Sequence, residues 1–213
     1  MQRAWAICTP FERQDTWVGV ARQEISIEFD KGTSCMRPRP TEEALRCFQN
    51  VVGQVSKALK EHHDDTTRAV FCELTTKKCR ALGNIGLYYD RKFEYANAVQ
   101  MYKQCYEAAM LVDCDQNLAG NITNNVAVAC FNNGETEAAL KWFQLSLDHW
   151  LAVADGADDN AGSQAAKAGM SEESLRSRRQ QALKKKNAVE RQIKTMRDIM
   201  KIDGKVLAEN PTD

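Results

Sequence analysis

Cysteine and histidine are the side chains of this sequence with the chemistry to bind a metal or to act as nucleophiles. The eight cysteines lie between Cys8 and Cys130, and no two have the Cys-x-x-Cys spacing that is common in zinc sites. His62 and His63 precede two aspartates, a run that can bind a metal, but the only other histidine is His149. We expect reduced, packed thiols, a solvated helix junction at the paired histidines, and neither a metal nor another cofactor.

No catalytic pattern stands out in the sequence either. The stretch from Gly83 to Gly86 lies in the middle of a predicted helix, which is typical of close helix packing rather than of a phosphate-binding turn. No nucleophile–base arrangement and no pair of carboxylates has a spacing that indicates acid–base catalysis. We therefore expect a protein that is not an enzyme.

Amide side chains are concentrated in one predicted helix. Asn121, Asn124, Asn125 and Asn132 fall within it, although asparagine is a poor helix former. Their paired donors and acceptors are suited to holding a peptide backbone. A solvated polar face is an equally good interpretation, and the sequence leaves both open.

A second polar feature is a basic segment near the C-terminus. Its six cations are Arg176, Arg178, Arg179, Lys184, Lys185 and Lys186. They form either a surface for a partner, RNA phosphates included, or the solvated face of a helix. Lysine plus arginine and aspartate plus glutamate both number 29, so the formal net charge is +0 and no overall field favours nucleic acid. Nucleic-acid binding is therefore the minority alternative.

The elements that must position these residues are helices. Apolar residues at three- and four-residue steps predict helices over 41–61, 66–91, 93–113, 118–132 and 135–153, with a last one from residue 171 to 201 or beyond. No apolar run approaches the roughly 20 residues that a bilayer requires. The first residues lack the layout of a secretory signal, so we expect a cytoplasmic protein.

The first forty residues have no such period. Ile25, Ile27 and Phe29 alternate with polar residues, which predicts a short strand, and 17–20 is the candidate partner for a hairpin. An irregular arm over the helices is the alternative. The predicted organisation is an irregular N-terminal arm (1–40), a helical domain (41–153), a flexible loop (154–170), and a long C-terminal helix with a tail (171–213).

Two stretches repeat the same alternation of small and bulky residues, forty-one positions apart. The two copies are Leu82, Ile85, Gly86, Tyr89, Ala98 and Tyr102, and then Thr123, Val126, Ala127, Cys130, Ala139 and Phe143. A fixed period of this size predicts stacked helical hairpins, because each hairpin needs a neighbour to cover its apolar face. Residues 41–49 also match 136–144 at six of nine positions, which indicates an incomplete earlier unit.

This pattern resembles the tetratricopeptide repeat, in which Trp-x2-Leu-Gly-x2-Tyr is followed by Ala-x3-Phe. The chain departs from it in lacking the tryptophan and the closing proline, and its period exceeds the family's length of about 34 residues. The resemblance implies an all-α, right-handed array of antiparallel hairpins, whose first helices line a groove for an extended peptide. By position, the groove residues are Arg80, Asn84, Leu87, Arg91, Asn121, Asn124, Asn125, Val128 and Asn132.

Chaperone-binding members of that family hold a terminal carboxylate with a clamp of lysine, asparagine and arginine. Asn125 matches the clamp's middle position, but Gly83 and Leu87 stand where lysine and asparagine are needed. A chaperone-tail adaptor is therefore disfavoured. We expect a non-catalytic adaptor that binds a protein partner through a peptide segment. The alternative is a structural subunit of a large multiprotein, ribonucleoprotein or cytoskeletal assembly.

Overall fold

Seven α-helices account for nearly all of the residues that the structure, a computed structural model, describes: 10–62, 66–112, 116–156 and 171–209. The helices are α1 (Pro10–Ser34), α2 (Glu42–Glu61), α3 (Arg68–Arg91), α4 (Tyr95–Met110), α5 (Gln116–Asn132), α6 (Thr136–Ala154) and α7 (Glu172–Glu209). These described ranges contain no strand. The all-α class and the helices expected from residue 41 onward are confirmed. The loop expected at 154–170 and the aspartates after His62 fall largely outside these ranges.

The N-terminal segment differs from its prediction. The irregular arm with a short strand is wrong where the structure describes it, because residues 10–34 form α1. Val18 and Ile25 are buried on one face of this helix, whereas Ile27 is 60% exposed. The alternation of Ile25, Ile27 and Phe29 therefore does not reflect a strand. The buried residues Val18 and Ile25 are seven positions apart, which is two turns of helix.

The start of α2 is determined by its cap. Ala44 N donates a hydrogen bond to Thr41 Oγ1 at 3.1 Å, and Glu42 and Glu43 lie in the first turn, where the helix dipole favours negative charge. Thr67 caps α3 in the same way, accepting a bond from Val70 N at 3.3 Å.

The helices pack as two units, one ending at Val112 and the other beginning at Asp113. In the first unit α2 packs against α1 and α3, and α3 packs against α4. Phe48, Val51 and Val55 of α2 are fully buried in its core. The predicted 41–153 domain has residues in both units.

In the second unit α6 packs against α5 and α7. Over residues 172–201 of α7, the buried residues are Ala182, Val189, Ile193 and Met196. Their spacings of seven, four and three residues place them on one apolar stripe along the helix. None of the helices within the described ranges is both long enough and apolar enough to cross a membrane.

The hairpins α3–α4 and α5–α6 have equivalent turns. Glu94 N donates to Tyr89 O at 3.0 Å, and Glu135 N donates to Cys130 O at 2.9 Å. The residue before each glutamate has a positive φ, 62° at Phe93 and 81° at the equivalent glycine, residue 134. The period of forty-one residues read from the sequence therefore corresponds to a repeated conformation.

Small residues allow the helices of each hairpin to approach closely. A Cβ atom on Gly86 would lie 2.5 Å from Tyr102 Cε1, and one on Gly120 would lie 2.8 Å from Trp150 Cε2. Ser146 Oγ donates to Gly120 O at 2.9 Å across the second hairpin. The packing role predicted for the glycine pattern is thus confirmed at Gly86.

We expect Gly86→Ala to destabilise the first unit by about 1–3 kcal/mol, because the added methyl group overlaps the Tyr102 ring. Gly83→Ala is the matched control on the same helix. Its Cβ would meet only Cys105 Sγ at 3.8 Å, so the better helix propensity of alanine should add about 0.5–1 kcal/mol. Denaturant unfolding measures both changes, and equal effects of the two substitutions would contradict the close approach.

Stability should also fall in mild acid because of His149. Its Nδ1 lies 2.5 Å from Gln116 Oε1, and burial lowers its pKa below 6.5, against the opposing charge of Asp148. The folded state therefore favours neutral imidazole. This contribution is fully present above pH 6.5 and is lost as the pH falls through and below that value.

The expected result is an unfolding midpoint that drops less between neutral and mildly acidic pH in His149→Gln than in the unsubstituted chain. Denaturant titrations at each pH give this difference. An identical pH dependence in both proteins would show that His149 is not the group responsible.

Candidate functional site

The first unit has a cleft where α1 and α3 meet. Its volume is about 340 Å³. The polar side chains that line it include Arg22, Ser26, Cys72, Glu73, Lys77 and Arg80. Ile25 and Leu74 are buried and form an apolar floor beneath them.

Helical spacing places these side chains on facing sides of the cleft. Arg22 and Ser26 are four residues apart on α1, and Phe29 follows at the next three-residue step. Glu73, Lys77 and Arg80 have the same steps on α3. Each helix thus presents one polar stripe beside the apolar residues that join the two helices.

One ion pair between the two helices lines the cleft. Arg22 Nε donates to Glu73 Oε1 at 2.8 Å, and Arg22 Nη2 contacts Glu73 Oε2. This bidentate pairing raises the pKa of Arg22, and the side-chain hydrogen bond is the main cause. It positions Glu73 against α1, so that this carboxylate neutralises Arg22.

Lys77 and Arg80 carry the remaining positive charge of the cleft. Lys77 Nζ donates to Ser26 Oγ at 3.2 Å and lies 5.1 Å from the centroid of the Phe29 ring, while Arg80 Cζ lies 5.9 Å from the same centroid. Cation–π attraction holds both cations close to one aromatic ring. Among the described residues, neither has a carboxylate within ion-pair distance. The cleft therefore offers two cations to an anionic group.

The predicted groove residues of the first unit share one stripe of α3. Arg80, Asn84, Leu87 and Arg91 recur at three- and four-residue steps, and the two arginines are exposed. Asn84 is half-buried. Leu87 packs against the hydrophobic core of the unit, so its side chain is partly used for folding.

The predicted residues of the second unit are more divided. Asn121 Nδ2 donates to Asn117 O at 2.9 Å, and its Oδ1 accepts a bond from Lys185 Nζ at 2.8 Å. Its amide is thus held by contacts within the chain. The other four predicted positions are either exposed (Asn125, Asn132) or half-buried (Asn124, Val128).

The predicted basic surface is divided as well. Lys185 Nζ also lies 5.3 Å from the Trp150 ring centroid, and Lys186 pairs with Glu190 at 3.1 Å. Arg178 is half-buried. Arg176, Arg179 and Lys184 are exposed, as is Lys185 despite its contacts. The first half of α7 is therefore attached to the second unit, and only part of its charge faces solvent.

The sequence interpretation did not identify Arg22, Ser26 and Lys77 as site residues. Arg22 and Ser26 lie in the segment interpreted as an arm or strand, so their common helix face was not apparent. The available signal was the helical step between Arg22, Ser26 and Phe29, together with the cations Lys77 and Arg80 on α3.

In the described part of the chain, no three histidine, cysteine or acidic side chains come together as a ligand set. His62 stacks on Trp17 with ring centroids 4.2 Å apart and an interplanar angle of 7°. Cys79 and Cys105 are buried with their sulfurs 3.1 Å apart. These side chains join helices to one another.

No protein-family model, no curated protein and no solved structure matches this chain. Within each unit the helices pack on their neighbours, an arrangement compatible with a helical repeat. The closer resemblance to the tetratricopeptide family stays a prediction.

Cysteine reactivity should map the cleft. In the folded chain we expect maleimide to label Cys72, which lines the cleft and is half-buried, much faster than Cys47. Cys47 is buried, and burial with a hydrogen bond to Glu28 raises its pKa to about 11, so little thiolate forms at neutral pH. Peptide mass spectrometry after brief labelling separates the sites. Equal labelling of Cys72 and Cys47 in folded protein would contradict this cleft.

Proposed function

We propose that this chain is a non-catalytic protein-interaction module, whose α1–α3 cleft binds an acidic, extended peptide segment of a partner protein. The observation that supports this most directly is the pair of cations, Lys77 and Arg80, held over Phe29 without a carboxylate partner among the described residues. Two such donors, fixed in position, bind a carboxylate at a low cost in side-chain entropy.

The size and lining of the cleft favour a peptide over a folded domain. A volume of about 340 Å³ is at the lower end of the range for ligand sites. A cleft of this size holds a few side chains. Ile25 and Leu74 offer an apolar floor, and the cations lie beside it. This combination suits an acidic side chain next to an apolar one. We also propose that the helices form a right-handed, tetratricopeptide-like array and that the protein is cytoplasmic.

A structural subunit of a larger assembly is the second candidate. The feature that favours it is α7, which extends over 38 residues and exposes Arg176, Arg179 and Lys184 on its first half. A long helix with an exposed cationic face can attach a subunit to a larger particle. In that case α7, rather than the cleft, would make the main contact with the partner.

The double substitution Lys77→Glu with Arg80→Glu tests the cleft. Partners recovered with the tagged full chain from its native cells should fall by at least about tenfold, since each charged hydrogen bond contributes about 1.5–3 kcal/mol. Arg46→Glu with Lys60→Glu is the matched control, because it changes the net charge equally at exposed positions of α2. Quantitative mass spectrometry measures recovery.

The recovered partner then supplies a synthetic acidic segment for calorimetric titration, and its binding should slow maleimide labelling of Cys72. If recovery survives the cleft substitution but is lost after Arg176, Arg179 and Lys184 are replaced by glutamate, the adaptor proposal fails and the assembly subunit replaces it.

A further inference from the structure

Phe93, in the turn between α3 and α4, has a conformation and an exposure that folding does not explain. Its φ is 62°, in the left-handed region, and 77% of the residue is exposed. A bulky side chain is disfavoured at such a φ, whereas glycine adopts it freely. Its ring touches Tyr95 edge-on, at a centroid distance of 6.2 Å.

The sister hairpin shows that the turn does not require an aromatic residue. Gly134 occupies the equivalent place, with φ 81°. Its N donates to Phe131 O at 3.0 Å, as Phe93 N donates to Asp90 O at 3.0 Å. The same backbone is thus made with glycine at no steric cost. A phenylalanine that is both strained and exposed at this position is therefore a candidate for a contact outside the chain.

The surroundings of Phe93 are cationic. A cavity of about 620 Å³ beside it is lined by Pro38, Arg39, Pro40, Arg91, Lys92 and Phe93. Three of these six residues are cations and none is acidic. Arg39 and Arg91 are exposed and have no carboxylate partner among the described residues. The prolines add rigid apolar walls that carry no N–H donor.

We infer that this surface, the Phe93 patch, binds an apolar side chain flanked by carboxylates in an acidic peptide. The apolar group packs on the Phe93 ring between the prolines, and Arg39 and Arg91 bind the flanking carboxylates. Charge complementarity determines the class of the partner, and the exposed ring determines where its apolar residue lies.

The position of the patch deepens the proposed function, on which this inference rests. Arg91 lies on the same α3 stripe as Lys77, fourteen residues away, or about 21 Å along the helix. An extended peptide covers that distance with about six or seven residues. One acidic segment can therefore contact both the cleft and the Phe93 patch.

A peptide is favoured over single-stranded nucleic acid. Nucleic-acid channels combine positive charge with several aromatic rings on which successive bases stack. Phe93 is the one aromatic residue among those lining this cavity, and the chain has a formal net charge of +0.

The test is to select, from a phage-displayed library of random linear peptides, those that bind the full chain. Enriched sequences should carry aspartate or glutamate around an apolar residue. A labelled synthetic copy of one should bind, by fluorescence anisotropy, at least about tenfold more weakly to Phe93→Gly, a difference that such titrations resolve. The melting temperature of Phe93→Gly should be unchanged or higher, because glycine relieves the unfavourable φ. Leu183→Ser, which removes another exposed apolar side chain, should bind like the unsubstituted chain.

Several results would overturn the inference. They are unchanged peptide binding by Phe93→Gly, a clearly lower melting temperature of that variant, no enrichment of acidic peptides, or tighter binding of oligouridine RNA than of the peptide. The two sites fail separately. Loss of binding in Lys77→Glu with Arg80→Glu but not in Phe93→Gly removes the patch and keeps the cleft. The reverse pattern keeps the patch and removes the cleft.

Discussion

The close approach of paired helices is the constraint on which the rest of this structure depends. At Gly86 and Gly120 a neighbouring aromatic ring occupies the space that a Cβ would need. Since the helices can be this near only at such small residues, the glycines determine where each hairpin crosses. The crossing determines in turn which stripe of α3 faces away from α4. That stripe carries Lys77 and Arg80, so the chemistry of the cleft depends on glycine packing.

The helices from residue 41 onward could be predicted because their signals are local. The apolar period, the Thr41 cap and the repeated pattern act within a few turns of helix. The position of Arg80 and Arg91 on one stripe followed from the same period. These helices and this stripe could be predicted without knowing which helices pack against each other.

The parts that could not be predicted depend on contacts between distant segments. α1 has a weak apolar stripe, and it packs closely on α2, where a Cβ on Gly32 would lie 3.0 Å from the Phe48 ring. Without α1 there is no cleft, so Arg22 and Ser26 had no partner in the sequence interpretation. The bond from Lys185 to Asn121 joins residues separated by 64 positions, and no local pattern indicates it.

The two equivalent hairpins keep their packing residues and differ on their surfaces. Arg80, Leu87 and Arg91 of the first correspond to Asn121, Val128 and Asn132 of the second. The apolar position is conserved in character, while both arginines become neutral amides. At Asn121 the positive charge comes from outside the hairpin, because Lys185 of α7 donates to the side-chain oxygen of Asn121. Each hairpin thus has positive charge at this position, intrinsic in one and supplied by another helix in the other. Within the described residues, Arg80 contacts the Phe29 ring but has no hydrogen-bond acceptor, whereas Lys185 already donates to Asn121, which favours the first unit for the proposed anionic ligand.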